Sequence, residues 1–170
     1  MQPQARSGPA GGDAELRRKV LRDPLLLLAF GLGSGLSPKA PGTFGSMLGG
    51  LLAWAALPLP ATFGWLLGAV LFITGIWLCG VAGQRLRIHD HPGVVWDEIA
   101  AMYLVLLTVP ASMGFWVAAF VLFRLFDIWK PWPIRDLDHR LKSGLGTMLD
   151  DLLAALYTAS LLGFGRWLMY

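Results

Sequence analysis

A chain of 170 residues is long enough for one domain with a real core, but 55% hydrophobic against 15% charged residues and a mean hydropathy of +0.57 exclude an ordinary soluble protein. The net charge of +3 lies in loops between apolar runs, without the aromatic-interleaved basic surface that stacks bases, so it argues for membrane topology rather than nucleic acid. A single cysteine, Cys79, excludes an internal disulfide and a multi-cysteine zinc site.

Residues 1–23 are rich in Gly, Pro, Ala, Gln and charge, and are expected to form an unordered basic tail ahead of a single helical domain over residues 24–170. Arg17-Arg18-Lys19 followed by the apolar Leu25 to Phe30 imitates a signal peptide. That run is too short to span a bilayer, which favours a helix lying on the inner surface. Next comes GLGSGLSPKAPGTFGS, Gly31 to Ser46, a glycine-rich loop opening a helix. Such backbone can present N–H groups to an anion, with Thr43 or Ser46 as cap and Lys39 adding charge, or it can be a plain re-entrant turn.

Between Lys39 and Arg85 there is no Asp, Glu, Lys, Arg or His, and the only break, Leu57-Pro58-Leu59-Pro60, predicts a helical hairpin over Met47 to Ala82. Cys79 and Arg85 have the C-x5-R spacing of cysteine phosphatases, but a thiol ending a long hydrophobic helix reads as an inert small hydrophobe. His89 and His91 form a His-Asp-His loop that is read as solvated rather than metal-binding. Asp97-Glu98 follow at the membrane edge, before the 25 residues from Ile99 to Phe123, which suffice for one span or two short arms turning near Pro110.

Phe123 to Asp151 is the densest island of chemistry, with Asp127, Asp136, Asp138, Asp150 and Asp151 as oxygen donors and Arg124, Lys130, Arg135, Arg140 and Lys142 as anion partners. Asp127 and Asp150-Asp151 stand at the inner edges of hydrophobic helices, where a carboxylate is costly unless a cation holds it. A last helix is expected over Gly146 to Leu168. If both breaks are hairpins, Lys39, Arg85, Arg87, Lys130, Arg135, Arg140 and Lys142 share one side, which the positive-inside rule makes cytoplasmic.

Four segments together resemble the phosphatidylglycerophosphatase A family of bacterial membrane enzymes. They are GSGLSP with PGTFGS (Gly33 to Ser46), VWDE (Val95 to Glu98), FRLFDIWKPWPI (Phe123 to Ile134) and GTMLDD (Gly146 to Asp151). Ala101 and Ala155 stand where the family pattern has glycine, which touches helix packing rather than chemistry. The resemblance implies an all-α, membrane-embedded helical bundle with a central helix, a hairpin at Pro110 and cytoplasm-facing loops in the bacterial inner membrane. It also implies an Mg²⁺-dependent phosphatase acting on the phospholipid phosphatidylglycerol phosphate.

On that basis Asp97, Glu98, Asp127, Asp150 and Asp151 are the expected ligands of Mg²⁺, an ion that prefers hard oxygen donors. Asp97, Glu98, Asp127 and Asp151 are the expected catalytic residues. Arg124 and Lys130, with Lys39, Thr43 and Ser46, are expected to hold phosphate. The rival readings are a small transporter using membrane-edge carboxylates as a relay and a scaffold whose acids only cap helices.

Overall fold

The computed structural model describes residues 9–88, 91–136, 141 and 143–169. Among them the chain forms helices and no strand: α1 Pro9–Arg22, α2 Pro24–Ala29, a 3₁₀ turn Gly31–Leu36, α3 Pro41–Ala56, α4 Ala61–Leu86, α5 Trp96–Thr108, α6 Met113–Trp129 and α7 Gly144–Met169. His89, Asp138, Arg140 and Lys142 lie outside the described residues.

Local chemistry accounts for the boundaries. Asp23 caps α2, its carboxylate accepting from the N–H groups of Leu25 (3.0 Å) and Leu26 (3.4 Å), and Pro24 supplies the preset φ of a first helical position. Pro41 does the same for α3, after Ala40 turns the chain in a left-handed conformation. The Leu57–Pro60 break separates α3 from α4, and Pro110 lies in the turn between α5 and α6, so the chain breaks at both expected turns. α6 packs on α5, whereas α3 packs chiefly on α5 and α4 on α5 and α7, so α3 and α4 do not form a close-packed pair.

The stretch expected to be an unordered tail instead carries α1. Val20 is fully buried against the core, and the end of α1 is fastened to the end of α4 by the Lys19 ammonium on the Arg85 carbonyl (2.6 Å) and an Arg85–Asp23 ion pair. Composition undersold this segment because the burial comes from Val20 and half-buried Leu16 and the fastening from Lys19 and Asp23, too few residues to register in an average.

The bundle is arranged around α5. Its 13 residues reach about 20 Å, short of a ~30 Å hydrocarbon core, and Asp97, Ile99 to Tyr103, Val105 and Leu106 are all buried. α3, α4, α6 and α7 surround it. α3 lies against it through residues without bulk: a Cβ on Gly45 would meet Val95, and one on Gly49 would meet the Ile99 carbonyl at 2.5 Å. Tyr103 donates to the Gly64 carbonyl (3.0 Å) and the Trp96 indole to the Leu71 carbonyl (3.0 Å), tying α5 to α4. α7 meets α4 at Gly144, where a Cβ would strike the Ile76 carbonyl and the Gly80 nitrogen. Small residues at helix crossings let backbones approach closely, as in membrane bundles.

Ala61–Leu86 and Gly144–Leu168 are long and apolar enough to cross a membrane. The outward faces of the helices carry Trp54, Phe63, Leu66, Ile73, Trp77, Val117, Val121, Phe164 and Trp167, each about half exposed or more. A continuous apolar exterior of this kind suits lipid rather than water. The chain is thus an all-α, membrane-associated bundle.

Candidate active site

Gly42 near the start of α3, Asp97 and Glu98 at the start of α5, and Asp150 and Asp151 early in α7 meet Arg124 and Asp127 near the end of α6 and Lys130 just beyond it. All of them line one cleft of about 240 Å³, with Ala40, Pro41, Pro92 and Val94 completing its wall. α5, α6 and α7 therefore bring their acidic residues to the same end of the bundle, where the start of α3 meets them, as an apolar membrane core requires.

Within the cleft the carboxylates divide into two groups. Asp97, Glu98 and Asp151 each direct one oxygen to a common point, with those oxygens all within 4.8 Å of one another. Asp127 and Asp150 hold cations: Asp127 pairs with Arg124 at 2.7 Å and Asp150 with Lys130 at 2.6 Å. Arg124 also approaches Glu98 at 3.6 Å. The first acid of each adjacent pair steadies its helix, because Asp97 accepts from the Glu98 N–H and Asp150 from the Asp151 N–H, both at 3.0 Å.

Five carboxylates face two cations here, an excess of negative charge that a buried site does not tolerate without a counter-charge. Two carboxylate oxygens, Glu98 Oε2 and Asp151 Oδ2, are buried without a hydrogen-bond donor, and the Arg124 Nε–H is buried without an acceptor. Burial pushes the Glu98 carboxyl up to about 8 against a lowering hydrogen bond with Asp97; Asp151 and Asp127 push it higher and Arg124 pulls it down. Three converging hard oxygen donors with buried orphan oxygens fit a small divalent cation of the magnesium type.

Two backbone details shape the cleft. Lys130 ends α6 with φ of 46°, a left-handed conformation usually left to glycine, and its ammonium meets Asp150 from there. Gly42 has no room for a side chain, since a Cβ would lie 2.1 Å from Glu98 Oε1 and 2.9 Å from the Arg124 guanidinium.

Of the residues singled out from the sequence, Asp97, Glu98, Arg124, Asp127, Lys130, Asp150 and Asp151 all line the cleft. Ser46 lies beneath it, buried, donating to the Gly42 carbonyl (2.8 Å) and accepting from Arg124 (3.5 Å). Lys39 is exposed and Thr43 half-buried, and neither is among the lining residues; their segment contributes Ala40, Pro41 and Gly42 instead. Asp136 is exposed and outside the cleft. Cys79 is buried, with its sulfur 4.0 Å from that of Met148, in keeping with the inert reading. The sequence reading passed over Gly42, whose only signal was its place in PGTFGS directly after the proline that opens the helix.

A family model described as phosphatidylglycerophosphatase A matches residues 27–165. A Haemophilus influenzae protein named phosphatidylglycerophosphatase A is 44% identical over 144 residues, covering 84% of this chain and 88% of the relative. An Escherichia coli protein of the same name is 40% identical over 158 residues, covering 92% of this chain and 91% of the relative. A Bacteroides thetaiotaomicron protein with the provisional description phosphatidylinositol-3-phosphatase is 39% identical over 156 residues, covering 85% of this chain and 94% of the relative. No solved structure matches the chain.

Proposed function

The chain belongs to the phosphatidylglycerophosphatase A family, and on that premise we propose that it removes the terminal phosphate of phosphatidylglycerol phosphate, giving phosphatidylglycerol and inorganic phosphate. The observation that carries the reading is the convergence of Asp97, Glu98 and Asp151 beside Arg124 and Lys130 in one cleft at the polar end of an apolar bundle. A phosphate monoester dianion needs its charge neutralised, an in-line attacking oxygen and a route for the proton to the leaving alkoxide.

Asp97, Glu98 and Asp151 would hold Mg²⁺. When bound, that ion supplies positive charge against the phosphoryl oxygens and makes water a better nucleophile at neutral pH. Arg124 and Lys130 present the remaining positive charge. Arg124 has five N–H donors, and its pairings with Asp127 and Glu98 fix the plane in which the rest face the substrate. Lys130 is steadied by Asp150 and offers a point charge on the other wall. Asp127 and Asp150 thus act as positioning residues. The N-termini of α3 and α5 at the cleft add the partial positive charge of helix dipoles.

The basic residues in the loops of the sequence, read by the positive-inside rule, support a cleft on the cytoplasmic side of the bacterial inner membrane, where a lipid head group would enter from water and its tails would stay in the bilayer. A relay protein would need acids along a path through the membrane, whereas the apolar runs from 40 to 84 and from 99 to 123 carry none.

Phosphate release from phosphatidylglycerol phosphate by purified protein, with and without Mg²⁺, tests the reading, with phosphatidylinositol 3-phosphate as the competing substrate. Mg²⁺-dependent release from the former, lowered on the order of 10²-fold in folded Asp151→Asn, is the expected result. Absence of release with Mg²⁺ present, or preference for the inositol lipid, overturns it.

A further inference from the structure

Beside the catalytic cleft lies a larger groove of about 670 Å³, formed between α1 and the two loops that follow α2 and α4. Pro41 and Pro92 line both spaces, so the groove opens directly off the cleft. We propose that this groove is the leaving-group subsite: with the terminal phosphate in the cleft, it takes the phosphodiester and glycerol of the same substrate, and Arg17 meets the phosphodiester charge. The proposal rests on the phosphatase reading above.

Three observations support it. The groove is preformed, because its floor is two loops locked together. The Gly93 carbonyl occupies the place a Gly35 side chain would take, and the Phe30 and His91 rings pack with centroids 5.5 Å apart. Its roof is fixed as well: Val20 is buried, and Lys19 and Asp23 fasten the end of α1 to Arg85, so Arg17, one turn earlier, stands at the rim rather than on a loose tail. The lining also matches the chemistry of a glycerol phosphodiester. Arg17 brings the positive charge and Ser37 a hydroxyl, while Leu16, Leu36 and Pro38 give an apolar side. Asp13 lines the same groove one turn before Arg17, and it discriminates against a second dianion while a single phosphodiester charge is satisfied by Arg17.

The test uses water-soluble substrates, which removes docking to a bilayer as a cause. Deacylated substrate, glycerophosphoglycerol phosphate, carries both phosphates, whereas glycerol 3-phosphate carries only the scissile one. Purified wild-type protein with Mg²⁺ is expected to favour the former in kcat/KM, and Arg17→Ala to shrink that preference about tenfold, mainly through KM, with Arg17→Lys restoring part of it. An equal fall for both substrates, or a loss seen only with lipid vesicles and not with the soluble pair, overturns the subsite alone. Wild-type inactivity on both overturns the phosphatase reading and the subsite together.

Discussion

Glu98 is where sequence, burial and chemistry meet most sharply. Its carboxyl has an ordinary value of 4.5 and is pushed up to about 8 in the folded protein, chiefly by burial. Between those values the folded state binds the proton more tightly than the unfolded chain. The stability linked to it is full below about 4.5 and is lost as pH rises through about 8. Metal-free protein in detergent is therefore expected to melt at a lower temperature at about pH 8.5 than at about pH 5. Mg²⁺ is expected to restore most of the difference at the higher pH and little at the lower, because it replaces the proton as counter-charge. A melting temperature that is flat with pH in EDTA, checked by scanning fluorimetry, contradicts this. The acids themselves were legible in the sequence, since Asp97, Glu98, Asp127, Asp150 and Asp151 stand at the ends of apolar runs, where a carboxylate is costly unless a site, an ion pair or a helix end holds it. Their division was not. Which carboxylates converge and which hold Arg124 or Lys130 depends on helix rotation, and the left-handed turn at Lys130 leaves no mark in a sequence that has lysine where glycine is usual.

Among the elements, α3 and α5 make the tightest join, and two glycines in it have different roles. A methyl at Gly42 would press on the movable ends of Glu98 and Arg124, whereas one at Gly49 would press on the Ile99 backbone. Gly42→Ala is expected to lower phosphate release at least tenfold with a nearly unchanged melting temperature, because side chains can move aside but then leave the productive arrangement. Gly49→Ala is expected to cost about 1–3 kcal/mol of stability, because two helices must separate. Parallel activity and melting curves check both, and equal behaviour of the two variants counts against the assignment. The hairpins were readable because prolines at 58, 60 and 110 interrupt runs that have no other reason to stop. The α3–α5 join was not, because small residues mark a crossing without naming its partner.

For the whole molecule, the cleft, the basic loops and the end of α4 lie at one end, and the α3–α4 and α5–α6 turns at the other. In a Cys79→Ser background, a membrane-impermeant thiol reagent added to intact cells is expected to label Leu59→Cys and to spare Pro38→Cys, with the pattern reversed in inside-out vesicles. Labelling of both from one side contradicts the hairpin topology. The family resemblance found the fold, but it did not give the extent of the folded unit: α1 lies wholly before residue 27, where the family match begins, yet it packs on the core.

The enclosure of α5 bears on how such an enzyme meets changing surroundings. The helix that carries Asp97 and Glu98 is sheathed by its neighbours, so acyl chains touch the outer helices and not the one that sets the chemistry. A cell that remodels its fatty acids with temperature or growth phase would alter the solvent of the bundle while leaving the carboxylate spacing as it was. Turnover should then follow the head group presented at the surface and be largely indifferent to the length and unsaturation of the tails.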